Sequence, residues 1–272
     1  MPKFCAIRMR HLILLLPFGY AFVSRYHWPR DFMVNALTAW VPGIILVALL
    51  GDLTVSDAFI CYLMSYTAFI CIYELGYLAN DTIGLRHDPT PRRRVDTDHR
   101  PGFIICFVAL RLGIGLAATV AVGVATSALY WASLSTLIAT LIAHNTLRAI
   151  ELKFYTFLQL SLLRFTLPVL PALLINTDTT AILTSFATAL LLFTLPRFVT
   201  YLDAKGRLIL PERKAQTYHL KTQAAVIPLV ILLSVLTDEI APLICLIWGV
   251  IVQLVYVARG RLPLRALGVT QS

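Results

Sequence analysis

Charged residues are scarce in this chain: only 14% of its 272 residues are Asp, Glu, Lys or Arg, whereas 58% are hydrophobic. Soluble globular domains carry about 25% charged residues, so this composition excludes an ordinary water-soluble protein. Apolar stretches of about 20 residues, the length that a helix needs to cross a bilayer, recur along the sequence. The composition therefore predicts an all-α, multi-pass membrane protein, and we expect one domain over residues 1–272.

Cysteine is also sparse, and its spacing excludes two kinds of structural site. The chain has no CxxC spacing, and most of its cysteines lie inside apolar stretches; the five are Cys5, Cys61, Cys71, Cys106 and Cys245. Neither a disulfide framework nor a zinc site is therefore predicted.

Eight apolar windows are long enough to form membrane-crossing helices. They cover residues 33–51, 57–80, 102–121, 125–143, 154–174, 180–202, 221–237 and 241–258. A ninth stretch, at 11–23, is shorter and carries Pro17 in its middle. It predicts an interfacial helix, a re-entrant helix or a further span, so the bundle has eight to nine transmembrane helices.

Lys and Arg are absent from every second loop. The loops near 52–56, 122–124, 175–179 and 238–240 contain neither residue, whereas the loops between them are basic. Because basic loops are retained in the cytoplasm, this alternation fixes the orientation of the predicted helices. The basic flanks also meet anionic lipid heads, so the net charge of +9 predicts membrane lipids and no nucleic acid as partners. We expect a protein of the bacterial inner membrane.

The first long cytoplasmic loop follows the second window and opens with acids. Asn80 and Asp81 come first, and Asp88 follows seven residues after Asp81. Glu74, Tyr77 and Asp81 have i, i+3, i+7 spacing, so they share one face of the emerging helix. An acid at membrane depth is a functional candidate by default.

Glu74 also has a structural interpretation. Two arginines, Arg164 and Arg197, lie inside other apolar windows. A buried carboxylate is stabilised by an ion pair, so Glu74 paired with Arg164 or Arg197 is the alternative to a substrate contact.

The second long loop repeats the arrangement four helices later. Asp203 ends the sixth window, and Lys205 and Arg207 follow it. Because both loops come after the second helix of a group of four, the sequence predicts two four-helix halves around a central cavity. Loops this long in a compact bundle are usually functional.

These two loops resemble the motifs of the UbiA superfamily of intramembrane prenyltransferases, which carries NDxxDxxxD after its second helix and DxxxD after its sixth. Asn80, Asp81 and Asp88 match the first motif, while Gly84 replaces its middle Asp. Asp203 matches the second motif, and Arg207 replaces its later Asp. Arg164 in "LLRF" resembles an arginine that many members carry, and Arg148 lies near the position of a family lysine.

The resemblance implies a transferase site at the cytoplasmic face. A diphosphate donor and a lipid or isoprenoid substrate would be its ligands, with Mg²⁺ bridging carboxylates and phosphate. The implied catalytic acids are Asp81, Asp88 and Asp203, joined as metal ligands by Asn80. The implied substrate-binding residues are Asn80, Glu74, Tyr77, Arg92, Arg93, Arg94, Arg148, Arg164, Lys205 and Arg207. A guanidinium binds phosphate bidentately, so Arg207 in place of an acid predicts fewer metal ions and more direct cationic contacts.

Two alternatives remain open at the level of sequence. One branch of the resembling family uses phosphoribosyl diphosphate as donor and a polyprenyl phosphate as acceptor, and "DPTPRRRVDTDHRPG" loosely echoes its first loop. The other alternative is a lipid-phosphate binder without turnover, or a transporter. The motifs do not decide between these functions, and they leave the oligomeric state open.

Overall fold

A computed structural model of the protein describes residues 12–25, 29–83, 101–176, 178–210 and 217–261. Of these residues 86% are helical and none lies in a strand, which confirms the predicted all-α class. The α-helices are α1 (Gly19–Arg25), α2 (Pro29–Asn35), α3 (Val41–Leu50), α4 (Val55–Thr82), α5 (Pro101–Ala121), α6 (Ala128–Thr146), α7 (Ile150–Thr166), α8 (Leu170–Asn176), α9 (Thr179–Ala189), α10 (Leu195–Ala204), α11 (Tyr218–Thr237) and α12 (Ala241–Arg261).

Six helical stretches in the described part of the chain are long and apolar enough to cross a membrane. They are Phe32–Leu50, Val55–Thr82, Pro101–Ala121, Thr179–Ala204, Tyr218–Thr237 and Ala241–Ala258. Large apolar side chains on their outer faces are exposed, among them Val235 (73%) and Leu236 (74%) on α11. Apolar exposure of this extent fits hydrocarbon rather than water around the bundle. These features indicate a multi-pass membrane protein.

The other two predicted windows also fall on helices, but these helices are shorter or less apolar. The window at 125–143 coincides with α6, which carries hydroxyl and amide side chains along its length. The window at 154–174 is not one helix, because α7 ends at Thr166 and α8 starts at Leu170. Pro168 explains this break, since proline has no N–H for the helical hydrogen bond.

Two of the candidate spans contain a five-residue π-helical turn, π1 (Ala36–Trp40) and π2 (Leu190–Thr194). In both, a proline lies two residues after the turn: Pro42 and Pro196. A proline cannot donate to the carbonyl four residues earlier, and the residue before each proline donates to a carbonyl five residues back instead. In both spans, a proline therefore accompanies a π-helical turn, which is wider than an α-helical turn.

The longest helix, α4, runs through the middle of the fold and packs against α3, α5 and α6. Its first turn is capped by Thr54, whose hydroxyl accepts from the backbone N–H of Asp57 at 3.2 Å. Tyr62, Tyr66 and Phe69 on this helix are at most 4% exposed and belong to the main apolar core. The helix is therefore fixed on most sides, and residues at its C-terminal end hold defined positions.

The segment ahead of the first candidate span is a broken helix. Residues 12–15 form one helical turn, the chain turns at residues 16–18, and α1 follows. Phe18 adopts a left-handed conformation (φ 68°), which is costly for a residue other than glycine and ends the first turn. Leu14 and Tyr20, on either side of the break, are 0% exposed, so the described part of this segment is inserted into the bundle.

Candidate functional site

The C-terminal ends of α4 and α10 lie at the same end of the bundle. The amide nitrogen of Asn145, near the end of α6, donates to the backbone of α4 at 3.3 Å. The chain then turns into α7, where Glu151 pairs with Arg207, just beyond α10, at 2.6 Å. Asp81 and Asp203, in the last turns of α4 and α10, therefore share one end, which we call the acidic end.

Asp81 is held on both carboxylate oxygens. Its Oδ2 accepts from the hydroxyl of Tyr20 at 2.9 Å, and its Oδ1 accepts from the side-chain amide of Asn80 at 3.2 Å. The Nη2 of Arg25 lies 3.8 Å from the same Oδ1, and the Asp81 side chain is only 2% exposed. A buried carboxylate needs such partners, because removal of a charge from water is costly unless it is paired. The inserted segment supplies two of the three contacts.

Arg25 has hydrogen-bonding capacity to spare. Its guanidinium lies over the ring of Tyr77, with the central carbon 4.2 Å from the ring centroid. Its Nε and Nη1 atoms are buried and have no hydrogen-bond partner among the residues that the structure describes. Buried donors without partners are costly, and a planar guanidinium suits the oxygens of a phosphate. This end of the protein therefore offers both a carboxylate and a cation.

A stripe of aromatic rings leads along α4 to this site. Its members are Tyr62, Tyr66, Phe69, Tyr73 and Tyr77, and successive ring centroids are 5.8, 5.6, 5.0 and 5.1 Å apart. The spacing of three to four residues places the rings on one face of the helix. Tyr62, Tyr66 and Phe69 are packed in the core, whereas Tyr73 and Tyr77 are only partly buried. The stripe therefore offers apolar ring surface at its Arg25 end, and the face of Tyr77 attracts the guanidinium.

Glu74 forms an ion pair, but the partner expected from the sequence is wrong. The Nε of Arg111, in the middle of α5, lies 2.7 Å from Oε2 of Glu74, and both side chains are 0% exposed. Arg164 instead donates to the side-chain oxygen of Asn35 at 2.6 Å, next to π1. Arg111 is nearer because α5 packs directly along α4. Glu74 is thus engaged within the protein.

Asp203 organises the loop that follows α10. Its Oδ1 accepts from the backbone N–H of Leu210 at 2.8 Å, and Gly206 takes the left-handed conformation (φ 68°) that the tight turn requires. The Nζ of Lys205 lies 5.8 Å from the ring centroid of Tyr201. Asp203 and Lys205 therefore sit on a folded turn at the acidic end.

Two arginines that the sequence predicts to bind phosphate, Arg148 and Arg207, are exposed in the structure. Arg207 pairs with Glu151, and the two side chains are 51% and 62% exposed. Arg148 lies in the exposed connection between α6 and α7. Asp88, Gly84 and the run Arg92, Arg93 and Arg94 lie outside the described residues, so half of the first motif has no structural account.

The donors for a metal ion are few in the described part of the chain, which contains no group of three or more His, Cys, Asp or Glu side chains arranged to hold a metal ion. Asp81 and Asp203 each offer one carboxylate, and Asn80 has an amide oxygen that is not used in its bond to Asp81. Mg²⁺ needs only one or two protein carboxylates when phosphate and water complete its shell. Either carboxylate therefore suits Mg²⁺ only when phosphate and water supply the other ligands.

Sequence reasoning missed three residues of this region: Tyr20, Arg25 and Arg111. An ionisable residue in the middle of an apolar window marks a functional or structural polar contact, so Arg111 had a detectable signal. Arg25 lies in a basic loop, which the sequence explains by cytoplasmic retention alone. Nothing in the sequence pattern connects Tyr20 with Asp81, 61 residues away.

Comparison of the chain with protein-family models, with curated proteins and with solved structures found no match in any of the three.

Proposed function

We propose that this protein is a UbiA-type intramembrane transferase that moves a prenyl group from a prenyl diphosphate to an acceptor. The observation that carries the proposal is the pairing of a buried carboxylate, Asp81, with Arg25 at the end of an aromatic stripe. A diphosphate needs cationic and metal contacts, and a prenyl tail needs an apolar path. Asp81 and Arg25 serve the first requirement, and the partly buried rings of Tyr73 and Tyr77 supply apolar surface for the second.

Mg²⁺ belongs to this proposal as the cofactor. Asp81, Asn80 and Asp203 would hold it, with Asp88 from the first motif. When bound, it neutralises charge that builds up on the departing diphosphate. The protein's own cations act on the same charge: Arg25 donates to phosphate oxygens through Nε and Nη1, and Lys205 and Arg207 approach from the loop after α10.

The transfer step itself leaves a positive charge on carbon. The bond between the allylic carbon and the diphosphate oxygen opens, and the diphosphate keeps the electron pair. The acceptor then forms a bond to the carbon, and the proton that the acceptor loses passes to the released diphosphate. Tyr73 and Tyr77 would face the cationic carbon, because their rings flank the end of the stripe next to Asp81. Tyr20 acts as a positioning residue, since its hydroxyl holds Oδ2 of Asp81.

The proposal also includes the number of membrane-crossing helices, their division into two halves and their orientation. Eight or nine helices in two four-helix halves would enclose a central cavity, with the acidic end in the cytoplasm of a bacterial cell. The recurrence of a carboxylate at the end of the second and of the sixth window, Asp81 and Asp203, supports two halves, because these are equivalent positions in two groups of four.

Phosphoribosyl transfer to a polyprenyl phosphate is the second candidate. Arg25 favours it, because a second phosphate-bearing substrate needs additional cations and this arginine adds one to those of the loops. A lipid-phosphate binder without turnover is the third, since Arg25 already neutralises part of the charge on Asp81 that a metal ion would use.

One screen tests these functions together. Purified protein is incubated with Mg²⁺ and either prenyl diphosphates or phosphoribosyl diphosphate, together with membrane lipid extract, and the lipid products are analysed by mass. We expect prenyl transfer that is lost in Asp81→Asn and Asp203→Asn and kept in Asp238→Asn, a matched change in the loop after α11. Undiminished turnover in the first two variants contradicts the site, and a pentose-bearing product selects the second candidate.

A further inference from the structure

A groove of about 410 Å³ runs along α4 between α5 and α6. Ile72, Ala79 and Ile83 form its α4 wall, and Ile142 on α6 faces it with 60% of its surface exposed. A smaller hollow of about 220 Å³ shares Ile72 with it and continues to Ala68. From Ala68 to Ile83 the helix rises about 22 Å, which is more than half of a bilayer's hydrocarbon core of about 30 Å.

This groove lies on the opposite side of α4 from the acidic site. With about 100° between successive residues, Ile72, Ala79 and Ile83 point roughly 180° away from Tyr77 and Asp81. The two sites therefore share a helix but no surface, and a ligand in the groove does not touch the carboxylate of Asp81.

Two polar side chains, Asn145 and Thr146, lie at the end of the groove, and the hydroxyl of Thr146 donates to the carbonyl of Ile142 in its own helix. Asn145 is 6% exposed, and its amide nitrogen donates to the carbonyls of Gly76 (3.3 Å) and Leu141 (2.9 Å). Two carbonyl partners fix which end of the amide is nitrogen. The opposite atom, Oδ1, is buried and has no hydrogen-bond partner among the residues that the structure describes. Buried polar atoms in proteins are normally hydrogen-bonded, so we expect a donor from a bound ligand at Oδ1.

We propose that this groove binds the acyl chain of a membrane lipid whose head group donates a hydroxyl hydrogen bond to Oδ1 of Asn145. The wall residues Ile72, Leu75, Ala79 and Ile83 recur every three to four positions, so the groove is parallel to α4, in the direction that acyl chains take in a bilayer. Exposed Ile142 opens its side to the lipid phase. The site is independent of any chemistry at Asp81.

The first test uses the intact wild-type protein in lipid nanodiscs. It is labelled with a hexadecanol that carries a photoreactive diazirine, and with the methyl ether of the same probe, which has no donor. One hydrogen bond changes a binding constant by about two- to tenfold. We therefore expect the alcohol to label residues 72–83 and 138–146 about two to ten times more strongly than the ether does. Equal labelling by alcohol and ether overturns the proposal.

Variants then test the position and the acceptor. Ile142→Trp fills the groove and is expected to reduce labelling at least fivefold, whereas Val235→Trp, an equally large change on the exposed face of α11, leaves it unchanged. Asn145→Leu removes the preference for alcohol over ether. Retained labelling in Ile142→Trp, or stronger labelling by a matched isoprenoid alcohol than by hexadecanol, contradicts an acyl-lipid site.

Discussion

Glu74 and Arg111 form a fully buried ion pair that also caps both sides of a broken helix. The Nη1 and Nη2 atoms of Arg111 donate to the carbonyls of Leu14, Leu15 and Leu16 at 2.6–3.0 Å, and Oε1 of Glu74 accepts from the N–H of Ala21 at 2.7 Å. A cation thus meets the carbonyl end of one helical turn, and an anion meets the N–H end of α1. Irregular backbone inside a membrane protein persists only where such partners satisfy it.

We expect this pair to be required for stability. Arg111→Leu leaves Glu74 buried without a cation and three carbonyls without donors, so it is predicted to cost about 3–5 kcal/mol of unfolding free energy. The double variant Glu74→Leu/Arg111→Leu is predicted to cost clearly less than the sum of its two single variants, because it leaves no buried charge. Unfolding by a chaotrope in detergent micelles measures all three.

The control for this cycle is Arg148→Leu, which removes the same side chain from an exposed connection and is expected to change stability by less than about 0.5 kcal/mol. If the costs of the two single variants add in the double variant, Glu74 and Arg111 do not act as a unit.

The sequence was sufficient for the helical class, because hydrophobic windows of about 20 residues depend only on composition. Each of the eight windows falls on a helix, and only the break at Pro168 divides one of them. The partner of Glu74 was not predictable, since Arg111, Arg164 and Arg197 all lie in apolar windows and only helix packing selects among them. The contact of Tyr20 with Asp81 has no sequence signal, because it depends on how a broken segment re-enters the bundle.

Acids in the loop before α9 and in the turn between α11 and α12 predict a pH effect on stability. Partial burial, with Asp178 and Asp238 nearby, raises the pKa of Glu239, which lies in the turn between α11 and α12. A raised folded-state pKa contributes stability at low pH that is lost as the pH rises through that pKa. Glu239→Gln is therefore expected to raise the unfolding temperature at pH 7 and to leave it unchanged near pH 4, as measured by thermal unfolding in detergent. A larger gain at pH 4 than at pH 7 contradicts the sign.

Arg207 is predicted to matter for chemistry more than for stability. Its pair with Glu151 is about half exposed, so Glu151→Gln is expected to cost less than about 1 kcal/mol of unfolding free energy.

Arg207→Asp supplies the acid that the resembling family carries, and we expect it to shift the Mg²⁺ activation curve to lower concentration. Lys221→Asp, an equal charge change at the exposed start of α11, serves as control. Identical Mg²⁺ titrations for wild type and Arg207→Asp rule out a phosphate contact.

Arg25 is predicted to bind the diphosphate of the donor. Arg25→Gln removes a charge-assisted contact of about 1.5–3 kcal/mol, so the KM for the donor should rise about 10- to 100-fold. Arg25→Lys keeps the charge without the planar fork and should recover only part of this loss. Displacement of radiolabelled pyrophosphate from the purified protein gives the same comparison when no turnover occurs. Lys221→Gln, which neutralises a lysine on α11, is the matched control. If Lys221→Gln and Arg25→Gln lose the same affinity for the donor or for pyrophosphate, general positive charge rather than Arg25 attracts the ligand.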